Sequence, residues 1–202
     1  VYASYNKADF YDLFGPTKRS RKGLNFGLSI NRSLVSDAPK NLDLNLGFSG
    51  YYGLNQSPEF QQINFENKDF NTNLFYNVYT SLAYRNLKGS VGAVDAEKGF
   101  KTSLTLSSAY TEGNLFPKAQ GNLDLGFQLP VKHTALWFRN AFGNSFTKGV
   151  NPFTRFGFAS FGNNYIDNGA SKMYRNTYAF AGLTYDSDVS IIAKTFYKTM
   201  LE

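Results

Sequence analysis

The chain has 202 residues, with 42% hydrophobic and 17% aromatic side chains and a net charge of +6 from 21 Lys and Arg against 15 Asp and Glu. Cysteine is absent, which excludes disulfide frameworks, thiol catalysis and cysteine metal sites. No run of about 18 apolar residues occurs, so no segment can cross a membrane as a helix, whereas a membrane strand needs only about 10 alternating residues.

Val1 to Tyr5 reads as the end of a strand. Val1 is not an initiator and nothing like a signal peptide follows it, so the chain reads as mature, trimmed or excerpted. Residues 7–23 form a loop, broken by Asp9, Asp12 and Gly15-Pro16 and closed by the basic group Lys18, Arg19, Arg21 and Lys22. This basic loop suits a solvated position near charged headgroups better than a nucleic-acid interface, because the remaining positive charge is dispersed.

Leu24-Asn25-Phe26-Gly27-Leu28-Ser29-Ile30-Asn31 alternates apolar and polar residues, as does Leu42-Asp43-Leu44-Asn45-Leu46-Gly47-Phe48-Ser49. Period two places the leucines on one face of an extended strand and the aspartate, asparagines and serine on the other. Asp37-Ala38-Pro39-Lys40 turns tightly between them, so the two strands form a hairpin. Asn55 to Asn71 is a polar loop. Leu74 to Tyr84 is a strand, Lys88 to Gly99 a turn and Phe100 to Tyr110 the next strand. Glu112 to Gln120, which contains Pro117, reads as a loop.

Leu123 to Leu129 repeats the leucine alternation. Pro130 to His133 turns, and Thr134 to Gly143 is the partner strand, with an ambiguous face because Leu136, Trp137 and Phe138 are consecutive. Residues 144–175 form a long Gly/Asn/aromatic segment. Tyr178 to Tyr185 and Val189 to Leu201 are the last strands, joined at Asp186-Ser187-Asp188. The reading gives about nine strands and no helix.

Tight turns at one rim and long loops at the other are typical of outer-membrane barrels. Tyr51, Tyr52, Tyr84 and Tyr110 stand near strand ends, where an aromatic girdle meets headgroups. The expected fold is therefore all-β: an antiparallel transmembrane β-barrel, a meander of long strands spanning 1–202 as a single domain. A soluble sandwich burying the leucine face against a second sheet is the competing architecture.

The segment Phe156-Gly157-Phe158-Ala159-Ser160-Phe161-Gly162-Asn163-Asn164-Tyr165-Ile166-Asp167-Asn168-Gly169 resembles the long sixth loop of the Omp85 (bacterial surface antigen D15) barrels. Phe10-Tyr11-Asp12-Leu13-Phe14-Gly15-Pro16-Thr17-Lys18 and Val91-Gly92-Ala93-Val94-Asp95-Ala96-Glu97-Lys98-Gly99 resemble the subgroup in which such a barrel follows a TolB-like β-propeller. The resemblance implies an outer-membrane barrel of about 16 strands, of which this chain supplies the middle and later part, incomplete at both ends. It implies a bacterial outer-membrane location, outer-membrane lipid and a periplasmic protein or propeller domain as partners, and no nucleic acid. The implied role is a non-enzymatic scaffold or conduit for protein or lipid passage and assembly. In the family this loop carries an Arg-Gly pair whose Arg docks on an acidic residue of the barrel wall. Here the corresponding place reads Asn163-Asn164-Tyr165-Ile166-Asp167, so the lock does not carry over residue by residue, and Arg155 and Arg175 are the bases left to substitute or simply to flank the loop.

A passive channel or structural anchor is the second functional reading. A soluble all-β carbohydrate-binding module, with aromatics stacking on sugar, is the third. The loop 144–175 is the leading site, because Phe146, Phe153, Phe156, Phe158 and Phe161 are too many aromatics for an exposed loop unless it folds back inside. Its plug candidates are Arg155, Phe156, Phe158, Phe161, Gly162, Asn163, Asn164 and Asp167. Asp43, Asp124, Arg85 and Lys101 fall on polar strand faces, where the acids can pair with Arg139 or Arg155. No second acid is placed for paired-carboxylate catalysis. His133 is the only histidine, which excludes multi-histidine metal sites. Gly89 to Gly99 lacks the Lys-Ser/Thr ending of a phosphate loop. Asp95 and Glu97 read as a solvated turn rather than a calcium site. No catalytic residue, metal or cofactor is expected.

Overall fold

The computed structural model describes residues 1–6, 23–52, 74–111, 113–147, 155–158, 175, 177–178 and 191–202. Within them lie ten strands: β1 (Tyr2–Asn6), β2 (Gly23–Asp37), β3 (Lys40–Tyr52), β4 (Leu74–Lys88), β5 (Lys98–Thr111), β6 (Asn114–Gln128), β7 (Ala135–Ser145), β8 (Phe156–Phe158), β9 (Ile191–Ala193) and β10 (Thr195–Leu201). Eight form one antiparallel meander in the order β1-β2-β3-β4-β5-β6-β7-β10, while β8 and β9 pair apart. The described sheet is open rather than closed into a barrel, with β1 and β10 as its edges. No described helix is long and apolar enough to cross a membrane.

Register aligns the alternating patterns. The row Ile30–Leu46–Thr80–Leu106–Ala119 runs across one face, and Asn31–Asn45–Ser81–Thr105–Gln120 runs across the other. A slip of one residue would exchange the two sets, so the pattern itself fixes the pairing. Burial then runs opposite to that of a soluble sheet. On the leucine face Ile30 and Val78 are each 51% exposed, and Leu28, Leu82, Leu104 and Leu106 are similarly open. The buried apolar side chains Ala109, Phe116, Trp137, Ala141 and Phe196 all belong to the polar face. Among the described residues no second sheet covers the leucines.

On both faces rings lie over glycines directly opposite on the next strand: Tyr2 over Gly27, Phe26 over Gly50, Tyr79 over Gly47, Phe142 over Gly121, Trp137 over Gly126 and Phe196 over Gly143. A methyl group at Gly126 would sit 2.5 Å from the Trp137 ring. The glycines thus serve as seats for aromatic side chains, which keeps a strand with a missing side chain packed.

Three parts of the expected strand map are corrected. Residues 114–120 are strand, not loop: the turn between β5 and β6 is only 112–113, and Pro117 sits inside β6 opposite Ser108. Its carbonyl accepts from Phe146 N at 3.0 Å, one position past the last β6–β7 pair, Lys118–Ser145. The missing proline N–H therefore falls where the β7 ladder has already ended, which is why the strand tolerates it. Val189 to Leu201 is not one strand: it breaks at Lys194 into β9 and β10, which join different sheets. Tyr178 lies in a turn, and the rest of the expected strand to Tyr185 lies outside the described residues.

Residues 38–39, 89–97 and 129–134 join strands at one rim and 112–113 joins β5 to β6 at the other, while the expected long loops 7–23 and 55–71 and most of 144–175 lie outside the described residues.

Candidate functional site on the polar face

The segment after β7 returns to the polar face of the sheet. Phe156 is 4% exposed and packs on Phe196 with ring centroids 4.9 Å apart, edge to face. Phe158 meets Phe196 at 5.1 Å, and Tyr178 meets Phe156 at 6.2 Å and Phe158 at 6.0 Å. Ala141 and Gly143 beneath them lack bulk, and that is what lets the rings approach the sheet. Lys118 from β6 holds its Nζ 5.3 Å above the Phe156 ring, an aliphatic stem and a cation on one aromatic surface.

Polar groups anchor the same segment. The Thr177 hydroxyl donates to Asn122 Oδ1 at 2.9 Å, and the Tyr178 hydroxyl donates to Gln120. Nearer the short-turn rim, Arg175 donates from Nε to both oxygens of Glu202, at 3.0 and 3.1 Å, and from Nη1 to Asp95 at 3.3 Å. Glu202 also receives Arg139 Nε at 2.7 Å, and Arg139 Nη1 reaches Asp124 at 2.9 Å. The result is an alternating chain of charge, Asp95–Arg175–Glu202–Arg139–Asp124. Arg139 lies 4.7 Å above the Trp137 ring, whose Nε1 donates to Ala96 O at 3.2 Å. Trp137 N and O both bond to Glu202, so the ladder holds the central carboxylate in place.

A third contact joins the two turns of that rim. His133, in a left-handed conformation (φ 56°), places Nδ1 3.2 Å from Glu97 Oε1 and 3.2 Å from Ser90 Oγ. Ser90 N donates to Glu97 Oε2 at 2.8 Å. The Ser90 hydroxyl, then the Ser90 backbone N–H, and then His133 hold the Glu97 carboxyl below its ordinary value of 4.5. Serine, histidine and carboxylate here do not make a nucleophilic relay. Both neighbours meet the same ring nitrogen, whereas a relay needs one on each. The arrangement latches one turn to the other.

Of the sequence candidates, the structure brings Phe156 and Phe158 onto the polar face. Arg155 is exposed and makes no hydrogen bond or ion pair among the described residues. Phe161, Gly162, Asn163, Asn164 and Asp167 lie outside the described residues, as do Lys18, Arg19, Arg21 and Lys22. Asp124 pairs with Arg139. Asp43 instead accepts from the Ser33 hydroxyl at 2.5 Å, and Arg85 and Lys101 are exposed on the polar face. Of the expected solvated turn, Asp95 is exposed and pairs with Arg175, whereas Glu97 is buried and engaged by Ser90 and His133. Glu202 and Trp137 were missed as site residues. The one signal for Trp137 was its place between two apolar neighbours, Leu136 and Phe138, and for Glu202 there was none. Among the described residues no group of three His, Cys, Asp or Glu is placed to hold a metal.

No protein-family model, no curated protein and no solved structure matches this chain.

Proposed function

We propose that the chain is wall material of an outer-membrane β-barrel of the Omp85-like type, a non-enzymatic scaffold or conduit for protein or lipid passage. In this reading residues 155–158, 175, 177 and 178 lie on the lumenal face. The supporting observation is the inverted burial of the sheet: leucines exposed, polar face partly covered by the returning segment. An exposed apolar face of this extent costs too much in water, at roughly 25 cal/mol per Å² of apolar area, to persist there bare. Acyl chains satisfy it at no such cost. Strands of 11 to 15 residues from β2 to β7 exceed the span that a tilted membrane strand needs. The returning segment narrows whatever space the polar face encloses and braces the wall through the Arg175–Glu202 contact.

The absence of cysteine makes the test direct. Single variants Leu46→Cys and Leu104→Cys, in the reconstituted protein, should resist a water-soluble maleimide and react with a lipid-soluble one. Asn45→Cys and Ser81→Cys should show the reverse preference. Equal labelling of all four by the water-soluble reagent would sink the reading in favour of a soluble all-β module.

A further inference from the structure

The short-turn rim carries two cations that the sheet itself does not explain. Lys88 ends β4, Lys98 begins β5, and the two stand directly opposite each other in register. Like charges so placed weaken a strand pair. Both are exposed, and neither side chain makes a hydrogen bond or ion pair among the described residues. The carboxylates of the intervening turn do not answer them: Glu97 receives Ser90 N at 2.8 Å and lies against His133, and Asp95 is held by Arg175. One step beyond the Gly99–Gly126 pair stands Phe127, 58% exposed. Lys98, Phe127, Leu129 and Pro130 line a depression of about 580 Å³. At the opposite ends of the same strands the leucine face carries Tyr76 and Tyr110, stacked at 6.2 Å, and the described strand residues there include no Lys or Arg.

We propose that this rim position binds the phosphate headgroup of an anionic lipid. Lys88 and Lys98 supply two ammonium groups to one phosphate, which removes their mutual repulsion. Phe127 and Leu129 give the glycerol and upper acyl carbons an apolar surface beside it. The charge asymmetry between the two ends of the leucine face orients the protein toward the leaflet richer in anionic lipid. The inference rests on the leucine face meeting lipid.

The full chain is reconstituted, and the association of spin-labelled phosphatidylglycerol is compared with that of spin-labelled phosphatidylcholine. Wild type should prefer phosphatidylglycerol, the preference should fall about five-fold for each lysine removed in Lys88→Ala and Lys98→Ala, and Lys88→Arg with Lys98→Arg should retain it. Insertion with the same preference in wild type and the double alanine variant overturns the rim site while leaving the lipid-facing wall intact. Failure to insert in either lipid overturns the wall itself. Inorganic phosphate alone, added at millimolar concentration, should leave the preference unchanged. Its abolition there would make the site one for free phosphate and overturn the lipid assignment.

Discussion

At the scale of single residues, Trp137 does the most varied work. Its ring fills the place left by Gly126, its indole N–H is bonded to Ala96, and Arg139 lies across its face. Trp137→Ala removes all three contacts and should cost about 3 kcal/mol, read as a lower midpoint of urea unfolding in detergent micelles. Trp137→Phe should recover most of the packing but not the hydrogen bond. Glu97 supplies a pH test whose sign is fixed by the direction of its shift. A carboxyl held below its ordinary value stabilises the fold above 4.5, and that contribution is lost as pH falls through the lower folded value. Amide exchange over 89–97 and 129–134 should therefore be slow at pH 7 and accelerate, relative to the intrinsic rate, on acidification below 4.5. Glu97→Gln should abolish that acid dependence.

At the scale of elements, the leucine strands were legible because alternation is a local property. β2, β3 and the second half of β6 each announce their inward and outward faces within eight residues, and the 37–40 turn joins the first two. β7 was half legible: its strand character was evident, but whether Trp137 or its neighbours faced outward depended on Gly126, a residue on another strand. The first half of β6 was illegible because Pro117 is a strand breaker unless the adjoining ladder stops beside it, and where β7 stops is not written in residues 112–120. Illegible too was the docking of Arg175, whose partners Glu202 and Asp95 lie 27 and 80 residues away in sequence. The aromatic docking of β8 on β10 has its own test. Phe156→Ala empties the centre of the Phe158–Tyr178–Phe196 cluster and should weaken docking by about 3 kcal/mol. The expected readout is faster proteolysis within 148–190 while the rest of the sheet stays protected. Unchanged proteolysis would mean that the polar anchors Thr177 and Arg175 hold the segment without the rings.

At the scale of the whole molecule, the two rows of backbone groups along β1 and β10 set a stoichiometric condition. Water would saturate them, but hydrocarbon offers neither donors nor acceptors, and each group left bare there costs several kcal/mol. In the lipid-facing reading proposed above, the open sheet of the described residues needs further strands along β1 and β10. Those strands come from outside the described sheet, from more of the same polypeptide or from another chain. Light scattering of the detergent-extracted material should consequently give a protein mass above the 22.6 kDa of one chain. A homogeneous particle of one chain, with margin amides as protected as those of β4, would show that β1 and β10 find each other instead.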